Sequence, residues 1–229
     1  MEAESVKIIE LHKSVTASND RDADELRATL KEQGVVLINL MSSPGSGKTT
    51  LLMKTIRDMA GSCRIAVMEA DIEASVDAER IEAAGARSIQ VHTDGMCHMD
   101  AGMTKTGLEE LGTDLSDLIF LENVGNLICP AEFDTGATKN VMILSIPEGD
   151  DKPLKYPLMF ETADVLIVSK LDASPYFDFD MNALFRRALT LNPDIRIFPL
   201  SAVTGEGMKD WETWLNKVVN DQKDGNFNA

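Results

Sequence analysis

A glycine-rich loop between an apolar strand and a helix constrains this chain most. Residues 42–50 read Ser-Ser-Pro-Gly-Ser-Gly-Lys-Thr-Thr, after the branched apolar run 35–41 and before the helically spaced run 51–59. Strand, glycine loop, Gly-Lys-Thr and helix together form the context of a phosphate-binding loop. The usual pattern opens with glycine six residues before the lysine, whereas this chain has Ser42 there. The sequence therefore predicts a phosphate site with one departure from the usual pattern.

The loop supplies each kind of group that a bound phosphate needs. Gly45 and Gly47 allow the backbone N–H groups to turn inward, and the helix N-terminus adds partial positive charge. Lys48 is predicted to reach the β- and γ-phosphates as a catalytic residue, and the Thr49 hydroxyl is predicted to hold Mg²⁺. The predicted phosphate contacts are the consecutive residues Gly45, Ser46, Gly47, Lys48, Thr49 and Thr50.

Apolar and helical segments alternate along most of the chain. Fully apolar strands are predicted near 35–41, 63–69, 86–91, 116–122, 139–145, 164–169 and 195–200. Helices are predicted near 48–60, 74–84, 99–111, 181–191 and 208–221. This alternation indicates an α/β protein of the P-loop NTPase fold, with a mostly parallel sheet covered by helices on both faces. Ligands of such sheets bind beyond the carboxyl ends of the strands, so motifs at those ends can converge.

A single domain is expected over residues 1–229, because neither a repeat nor a long linker divides the chain. The N-terminal segment 1–33 predicts one or two amphipathic helices over an edge of the sheet. Asn19 and Asp20 could cap the second of these helices. The tail 221–229 is expected to fray.

Charge and cysteine content exclude several classes of partner. The formal net charge of −16 at pH 7 repels nucleic acid but permits a nucleotide held by local N–H groups and Mg²⁺. No apolar run approaches membrane-spanning length, and the acidic start, Met-Glu-Ala-Glu-Ser, is unlike an export signal. Because the chain has only three cysteines, we expect it in a reducing cytoplasm. Because of its negative charge and its lack of a long apolar run, we expect neither nucleic-acid nor membrane partners.

Two later strand ends resemble the guanine-recognition elements of GTPases. The strand 165–168 precedes residues 169–172, Ser-Lys-Leu-Asp, which match Asn-Lys-x-Asp with serine in the asparagine position. The Asp172 carboxylate can accept hydrogen bonds from N1–H and the 2-amino group of guanine, and adenine offers no such donor pair. One βα unit later, Ser201 and Ala202 resemble the loop whose backbone N–H completes a guanine pocket. The predicted base contacts are Ser169, Lys170, Asp172, Ser201 and Ala202.

Two carboxylates at strand ends are candidates for Mg²⁺ chemistry. Glu122 and Gly125 lie in Glu-Asn-Val-Gly, which looks like the Asp-x-x-Gly switch of GTPases with glutamate for aspartate. Glu122 can act on the Mg²⁺ shell, and the Gly125 N–H can meet the γ-phosphate. Asp71 can bind Mg²⁺ or orient the attacking water, or it can cap a helix. We therefore expect Thr49, Asp71 and Glu122 around Mg²⁺, with both carboxylates catalytic.

Cys97, His98 and Cys129 form a separate set of soft and borderline ligands that suits Zn²⁺ or Ni²⁺. Adjacent cysteine and histidine do not fit the spacing of a structural zinc finger. Three ligands leave a tetrahedral site open, to be completed by water, by His92 or by a second subunit. Spacing alone leaves an alternative, in which the two cysteines are core residues.

Taken together, these motifs resemble the HypB family of hydrogenase nickel-incorporation GTPases, which belongs to the SIMIBI class of P-loop proteins. The resemblance spans about residues 35–215, and its most specific part is Glu-Asn-Val-Gly-Asn-Leu-x-Cys-Pro at 122–130. The related UreG family of urease accessory GTPases normally carries Cys-Pro-His and a different switch sequence, so it fits less well.

The resemblance implies a GTPase that hydrolyses GTP to GDP and forms a homodimer promoted by GTP. It implies Ni²⁺ or Zn²⁺ at Cys97, His98 and Cys129, near the subunit boundary. It also implies work with a small nickel-carrying accessory protein (HypA-like) on the hydrogenase large subunit. Some members carry a Cys-rich or His-rich N-terminal stretch; here the first cysteine is Cys63, so bulk nickel storage is not expected.

Several further expectations stay open at this point. Without an obvious arginine finger or positioned glutamine in the sequence, hydrolysis should be slow. The aromatic segment 175–179 is either a subunit contact beside the nucleotide or a loop packed on the core. Two alternative functions are a GTPase chaperone for urease or a cobalamin enzyme, and a P-loop kinase or ATPase whose Ser-Lys-x-Asp is accidental.

Overall fold

A computed structural model of the chain describes residues 11–70 and 75–225. The strands are β1 (Val36–Ser42), β2 (Ile65–Ala70), β3 (Arg87–Val91), β4 (Leu118–Glu122), β5 (Lys139–Ser145), β6 (Val165–Ser169) and β7 (Arg196–Pro199). They form one parallel sheet in the order β3-β2-β4-β1-β5-β6-β7. The chain leaves β1 in one direction and later returns to pair on its other side, so a crevice opens at the carboxyl end of β1.

The helices of the described ranges fill both faces of this sheet. They are α1 (Leu11–Gln33), α2 (Lys48–Met59), α3 (Ser75–Ala84), α4 (Ala101–Leu111), α5 (Cys129–Glu132), α6 (Lys152–Lys155), α7 (Pro157–Thr162), α8 (Met181–Leu191) and α9 (Met208–Lys223). None of them is long and apolar enough to cross a membrane. The predicted α/β fold, with a parallel sheet between two helical layers, is confirmed.

Alternate strand residues point to opposite faces and give the sheet two cores. On one face, Val36 and Phe120 pack with Ile56 of α2 and Trp211 of α9. On the other face, α1 and α4 cover one half of the sheet and α7 and α8 cover the other. Continuous apolar strands are therefore buried on both sides, as parallel sheets require.

A polar seam divides the second face into its two halves. Asn39 lies in the middle of β1, where neighbouring residues are apolar, and it is almost fully buried. Its Nδ2 donates to Asn140 Oδ1 at 2.9 Å, and its Oδ1 accepts from Asn123 Nδ2 at 3.0 Å. Three amides thus satisfy one another across β4, β1 and β5, which removes the cost of burying them.

The N-terminal helix differs from the sequence-based expectation in two ways. Leu26 and Leu30 of α1 pack against Leu37 and Ile119, so α1 covers a face of the central strands instead of an edge. The helix also continues through Asn19, which therefore caps no second helix. At the other end α9 reaches Lys223, so the first residues of the predicted frayed tail are helical, and 226–229 lie outside the described residues.

Candidate functional site

The loop between β1 and α2 has the backbone form that phosphate binding needs. Gly45 and Gly47 have φ of 75° and 100°, in the left-handed region that favours glycine. Gly47 is the N-cap of α2, so the N–H groups of the first helical turn are directed toward the loop. A cavity of about 600 Å³ lies beside the loop and is walled in part by Lys48, Thr49 and Thr50. The loop and helix end together form a cradle for an anion.

Ser42, which stands where the usual pattern has glycine, is fully buried beneath this loop. Its hydroxyl accepts hydrogen bonds from Lys48 Nζ at 2.9 Å and from Ser46 Oγ at 2.7 Å. The same hydroxyl donates to the Ser43 carbonyl at 2.8 Å. The departure from the usual pattern therefore ties the loop together instead of weakening it.

Carboxylates gather at the wall opposite the loop. Thr49 Oγ1 donates to Glu122 Oε1 at 3.4 Å, which brings together two of the three residues predicted around Mg²⁺. The third, Asp71, lies outside the described residues. Glu69 pairs in register with Glu122 and lines the same cavity, and Arg80 of α3 also reaches it. Neither was predicted from the sequence, although a carboxylate in an otherwise apolar strand was a signal for Glu69.

The switch-like segment after β4 lies directly against the phosphate loop. A Cβ atom on Gly125 would stand 3.0 Å from Pro44 Cγ and 3.2 Å from Pro44 N, so a side chain here would have to push Pro44 away by a few tenths of an ångström. Asn123, which is almost fully buried, accepts hydrogen bonds through Oδ1 from Val124 N at 2.9 Å and from Met99 N at 3.1 Å. The segment therefore touches the phosphate loop at one residue and the backbone beside His98 at another.

The predicted guanine elements converge on the far side of the phosphate loop. Ser169 Oγ donates to the Ser46 carbonyl at 2.7 Å, and Lys170 Nζ donates to the Gly45 carbonyl at 2.7 Å. The Asp172 side chain is exposed and accepts from Ser201 Oγ at 2.5 Å. The loops after β6 and β7 are thus connected to each other and to the phosphate loop by Ser169, Lys170, Asp172 and Ser201. Ala202 follows Ser201 in the loop after β7.

Cys97, His98 and Cys129 meet although the outer two lie 32 positions apart in the chain. Their ligand atoms all lie within 4.8 Å of one another. The Sγ atoms of the two cysteines are 2.6 Å apart, and Cys97 Sγ is 3.8 Å from His98 Nδ1. The alternative that both cysteines are core residues is wrong, because Cys97 is exposed and Cys129 is half-buried. His92 is exposed and lies outside this group.

The environment of His98 fits a metal ligand. The imidazole is buried and stacks on Phe133, with ring centroids 3.9 Å apart and planes 14° from parallel. Burial lowers the pKa of His98, which favours the neutral ring that binds metals. Its Nε2 is buried and accepts or donates no hydrogen bond within the described part of the chain. Two thiols and this nitrogen are a donor set for Ni²⁺ or Zn²⁺.

The Cys129 thiol carries a proton that a metal would displace. A hydrogen bond with Cys97, followed by burial, raises the pKa of Cys129. Metal ions bind the thiolate form of cysteine, so loading this group of ligands releases protons. Cys63 lies elsewhere, where burial raises the pKa of its thiol to about 11.

Comparison with known proteins agrees with this arrangement. Residues 36–199 match the family model described as CobW/HypB/UreG, nucleotide-binding domain. The hydrogenase maturation factor HypB of Rhizobium leguminosarum bv. viciae is 46% identical over 209 residues, covering 91% of this chain and 70% of that protein. The hydrogenase/urease maturation factor HypB of Helicobacter hepaticus is 44% identical over 198 residues, covering 84% of this chain and 80% of that protein.

A solved structure extends the likeness to three dimensions. HypB from Helicobacter pylori in complex with nickel superposes with a TM-score of 0.82 at 35% identity, covering 91% of this chain and 96% of that one. Motifs, topology and identity over most of the length thus point to the same group of proteins. The chain belongs to the HypB family of hydrogenase maturation factors, within the CobW/HypB/UreG group of nucleotide-binding domains.

Proposed function

We propose that this GTPase is a metallochaperone that carries nickel at Cys97, His98 and Cys129 and assists its insertion into the nickel–iron centre of hydrogenase. The observation that carries the proposal is the meeting of these three ligands beside the segment that contacts the phosphate loop. It is supported by relatives named as hydrogenase maturation factors and by a HypB structure that holds nickel.

The nucleotide chemistry is assigned to residues around the cavity. Lys48 and the N–H groups of the loop would bind the phosphates, and Asp172 would read guanine. Thr49 and Glu122 would hold Mg²⁺, with Asp71 as a further candidate; when bound, the ion neutralises charge on the phosphates. GTPases that lack an arginine finger turn over on the order of 10⁻⁴–10⁻³ s⁻¹, a rate that suits a switch.

An Asp71→Ala protein with undiminished turnover of GTP would exclude Asp71 from positioning water.

The GTP state is proposed to set the affinity for nickel. Gly125 packs on Pro44 of the phosphate loop, and Cys129 follows four residues later on the same short segment. A shift of about 1 Å at this segment would upset a metal–sulfur bond, which tolerates about 0.2 Å. By linkage, nickel must then alter nucleotide affinity by the same free energy.

A second copy of the chain is the proposed occupant of the surface next to Asp172. Tyr176 and Phe177 follow the guanine motif and are 84% and 45% exposed, unusual for aromatic side chains in a protein with few of them. A contact there would bring the nucleotide and the subunit boundary together. Light scattering in the presence of a GTP analogue tests this contact. Phe177→Ala should stay monomeric, whereas the control Leu189→Ala, which alters an exposed leucine on α8, should dimerise. A dimer of Phe177→Ala would refute the proposed contact.

The remaining parts of the proposal concern the cell. A small nickel-carrying protein is the proposed source or recipient of the metal, and the hydrogenase large subunit is the proposed client. Both exchanges are expected to take place in the cytoplasm. A deletion strain whose hydrogenase activity returns on adding nickel would support delivery, whereas no response to nickel would point to another client.

The central test measures bound metal and nucleotide in one size-resolved sample of the full chain, with GDP and with a non-hydrolysable GTP analogue. Nickel should bind with different affinity in the two nucleotide states and be lost in Cys129→Ala. Cys63→Ala is the matched control because that half-buried thiol lies outside the ligand group. Equal affinities in both states would refute the coupling, and unchanged binding in Cys129→Ala would refute the site.

Urease is the second candidate client, since a relative covering most of this chain is named a hydrogenase/urease maturation factor. The same nickel site would serve either enzyme. Restoration of urease activity, without restoration of hydrogenase, in strains lacking their own maturation factor would favour this alternative.

A further inference from the structure

Asn19 is a buried polar residue in the middle of α1 that no nucleotide or metal motif includes. Its side chain is only 8% exposed. The amide oxygen accepts a hydrogen bond from Ala101 N at 2.9 Å, and the amide nitrogen donates to the Asp134 carbonyl at 2.8 Å. One side chain therefore joins two backbone groups that are 33 residues apart in sequence.

Both backbone groups belong to segments that carry the proposed nickel ligands. Ala101 begins α4, three residues after His98, and its N–H is one of those that a helix start leaves without an intrahelical acceptor. Asp134 lies five residues after Cys129, just beyond the short helix α5. Asn19 thus bridges the segment of Cys97 and His98 to the segment of Cys129 from outside the ligand group.

A second residue of α1 fixes one of these segments independently. Arg27 donates to both carboxylate oxygens of Asp134, at 2.7 and 2.8 Å, and its Nε donates to the Ala137 carbonyl at 3.1 Å. The segment after Cys129 is therefore held on α1 even without Asn19. Asn19 adds a hydrogen-bonded connection from α1 and the segment after Cys129 to the start of α4.

Closer to the ligands, few directional contacts join the two segments. Met99 N donates to Asn123 Oδ1 at 3.1 Å, six residues before Cys129. Asn126 Nδ2 lies 3.5 Å from the Cys97 carbonyl, at the limit of a hydrogen bond, and His98 stacks on Phe133 without a directional bond. Metal–ligand distances must hold within about 0.2 Å, so the relative position of the segments matters for binding. A buried amide that bonds to both segments is the kind of support that does this.

We propose that Asn19 is a positioning residue of the nickel site, through which α1 holds the two ligand-bearing segments in register for one metal ion. The inference rests on the proposed role of Cys97, His98 and Cys129. It gives the N-terminal helix a part in metal binding, although α1 contributes no ligand within the described residues.

The test compares Ni²⁺ affinity, by competition with a chromophoric chelator, in the full chain and in Asn19→Ala. Groups that hydrogen-bond directly to metal ligands typically contribute about 10- to 100-fold in affinity; since Asn19 acts through the backbone beyond the ligands, a loss at the lower end, about tenfold, is expected. The affinity for GDP should stay close to that of the wild type, and the melting temperature of the metal-free protein should fall by no more than the loss of two buried hydrogen bonds explains. Ser18→Ala, an exposed neighbour on the same helix, should behave as the wild type does.

Asn19→Asp keeps the test decisive if Asn19→Ala folds poorly. The carboxylate still accepts from Ala101 N–H, where negative charge at a helix start is favourable, but it cannot donate to the Asp134 carbonyl. This variant should therefore fold and still lose Ni²⁺ affinity, with a weaker thiolate-to-metal absorption band when Co²⁺ replaces Ni²⁺. Wild-type affinity and spectrum in the folded Asn19→Asp protein would overturn the inference.

Cys129→Ala, measured in parallel, separates the two proposals. If Cys129→Ala binds Ni²⁺ as tightly as the wild type, the ligand assignment itself is wrong. If Cys129→Ala loses Ni²⁺ and both Asn19 variants retain it, the ligands stand and the positioning role of Asn19 is refuted.

Discussion

Two buried serines meet at the same residue of the phosphate loop. Ser42 accepts a hydrogen bond from the Ser46 hydroxyl, and Ser169 donates one to the Ser46 carbonyl. Each serine replaces the residue that the usual motif has at its position, glycine in one case and asparagine in the other. The two departures share one consequence, since both hold the phosphate loop from beneath through Ser46.

Guanine selectivity is a prediction for a single carboxylate. Asp172→Asn replaces an acceptor of two N–H bonds with a group that can donate, so GTP affinity should fall at least about tenfold. Xanthosine triphosphate, which has a carbonyl in place of the 2-amino group, should bind better than it does to the wild type. Fluorescence titration of both nucleotides measures the change, with Asp178→Asn as an exposed control. Unchanged preference for GTP would exclude Asp172 as the base reader.

The pH dependence of stability has a predicted component from Glu212. Burial, together with a hydrogen bond to Asp58, raises the pKa of Glu212 from 4.5 to about 7. The folded protein therefore holds a proton that the unfolded chain releases, so this stabilisation is complete below pH 4.5 and is lost as pH rises through about 7. Glu212→Gln should remove that slope in melting temperature against pH, whereas exposed Glu206→Gln should keep it. Parallel curves for Glu212→Gln and the wild type would contradict the assignment.

At the scale of elements, α4 is fitted closely to the sheet directly after the segment of the proposed ligands Cys97 and His98. The helix begins just after the His98 segment, with the Asp100 side chain accepting from Met103 N. Its residue Gly107 faces β2 and β3, where an added Cβ would stand 2.4 Å from Met68 Sδ and 3.0 Å from Val91 Cγ2. The close approach of this helix therefore depends on a missing side chain.

Two alanine substitutions in α4 should have opposite effects. Gly107→Ala should destabilise the fold by about 1–3 kcal/mol, because the thioether of Met68 would have to shift within a fully buried site and repack against its neighbours. Gly102→Ala, one turn and a half earlier, meets only Asp100 Oδ1 at 3.5 Å and should be neutral or stabilise by up to about 1 kcal/mol. Urea unfolding at equilibrium measures both, and equal effects of the two changes would show that the packing argument is wrong.

At the scale of the whole molecule, the polar seam of Asn39, Asn123 and Asn140 connects the centre of the sheet to the segment of Cys97 and His98. Asn123 donates to Asn39 in β1 and accepts from Met99 N beside His98. The same segment carries Glu122 on the cavity wall and Gly125 against the phosphate loop. In the proposed coupling, a change at the nucleotide would reach the proposed metal ligands by two routes, one along the chain to Cys129 and one through Asn123.

The second route makes a prediction about coupling. Coupled sites commonly differ 5- to 150-fold in affinity between states, and Asn123→Ala should shrink the ratio of nickel affinities measured with GTP analogue and with GDP. Asn140→Ala is the matched control, since it removes the hydrogen bond from Asn39 to Asn140 but leaves the bond from Met99 N to Asn123 intact. Isothermal titration in both nucleotide states gives the ratios. An unaltered ratio in a folded Asn123→Ala protein would leave only the route along the chain.

Elements and motifs were predictable from sequence because their signals are local. All seven strands and the five helices predicted after the loop lie within two residues of the observed bounds, since apolar runs and helical spacing repeat over several residues. The short helices α5, α6 and α7 were not predicted, because four to six residues contain no full helical period. The residues of the phosphate loop were recognisable for the same local reason.

Which distant residues come together was decided by the tertiary structure. The sequence indicated Cys97, His98 and Cys129 as ligands but left the cysteines open as core residues, and the position of Phe133 on His98 had no sequence signal. The placement of α1 on a sheet face, and with it the bridge made by Asn19, depends on contacts between residues about 80 to 115 positions apart. Periodicity specifies which residues form a strand or helix, whereas these contacts arise only when the packed sheet brings distant strand ends to one edge.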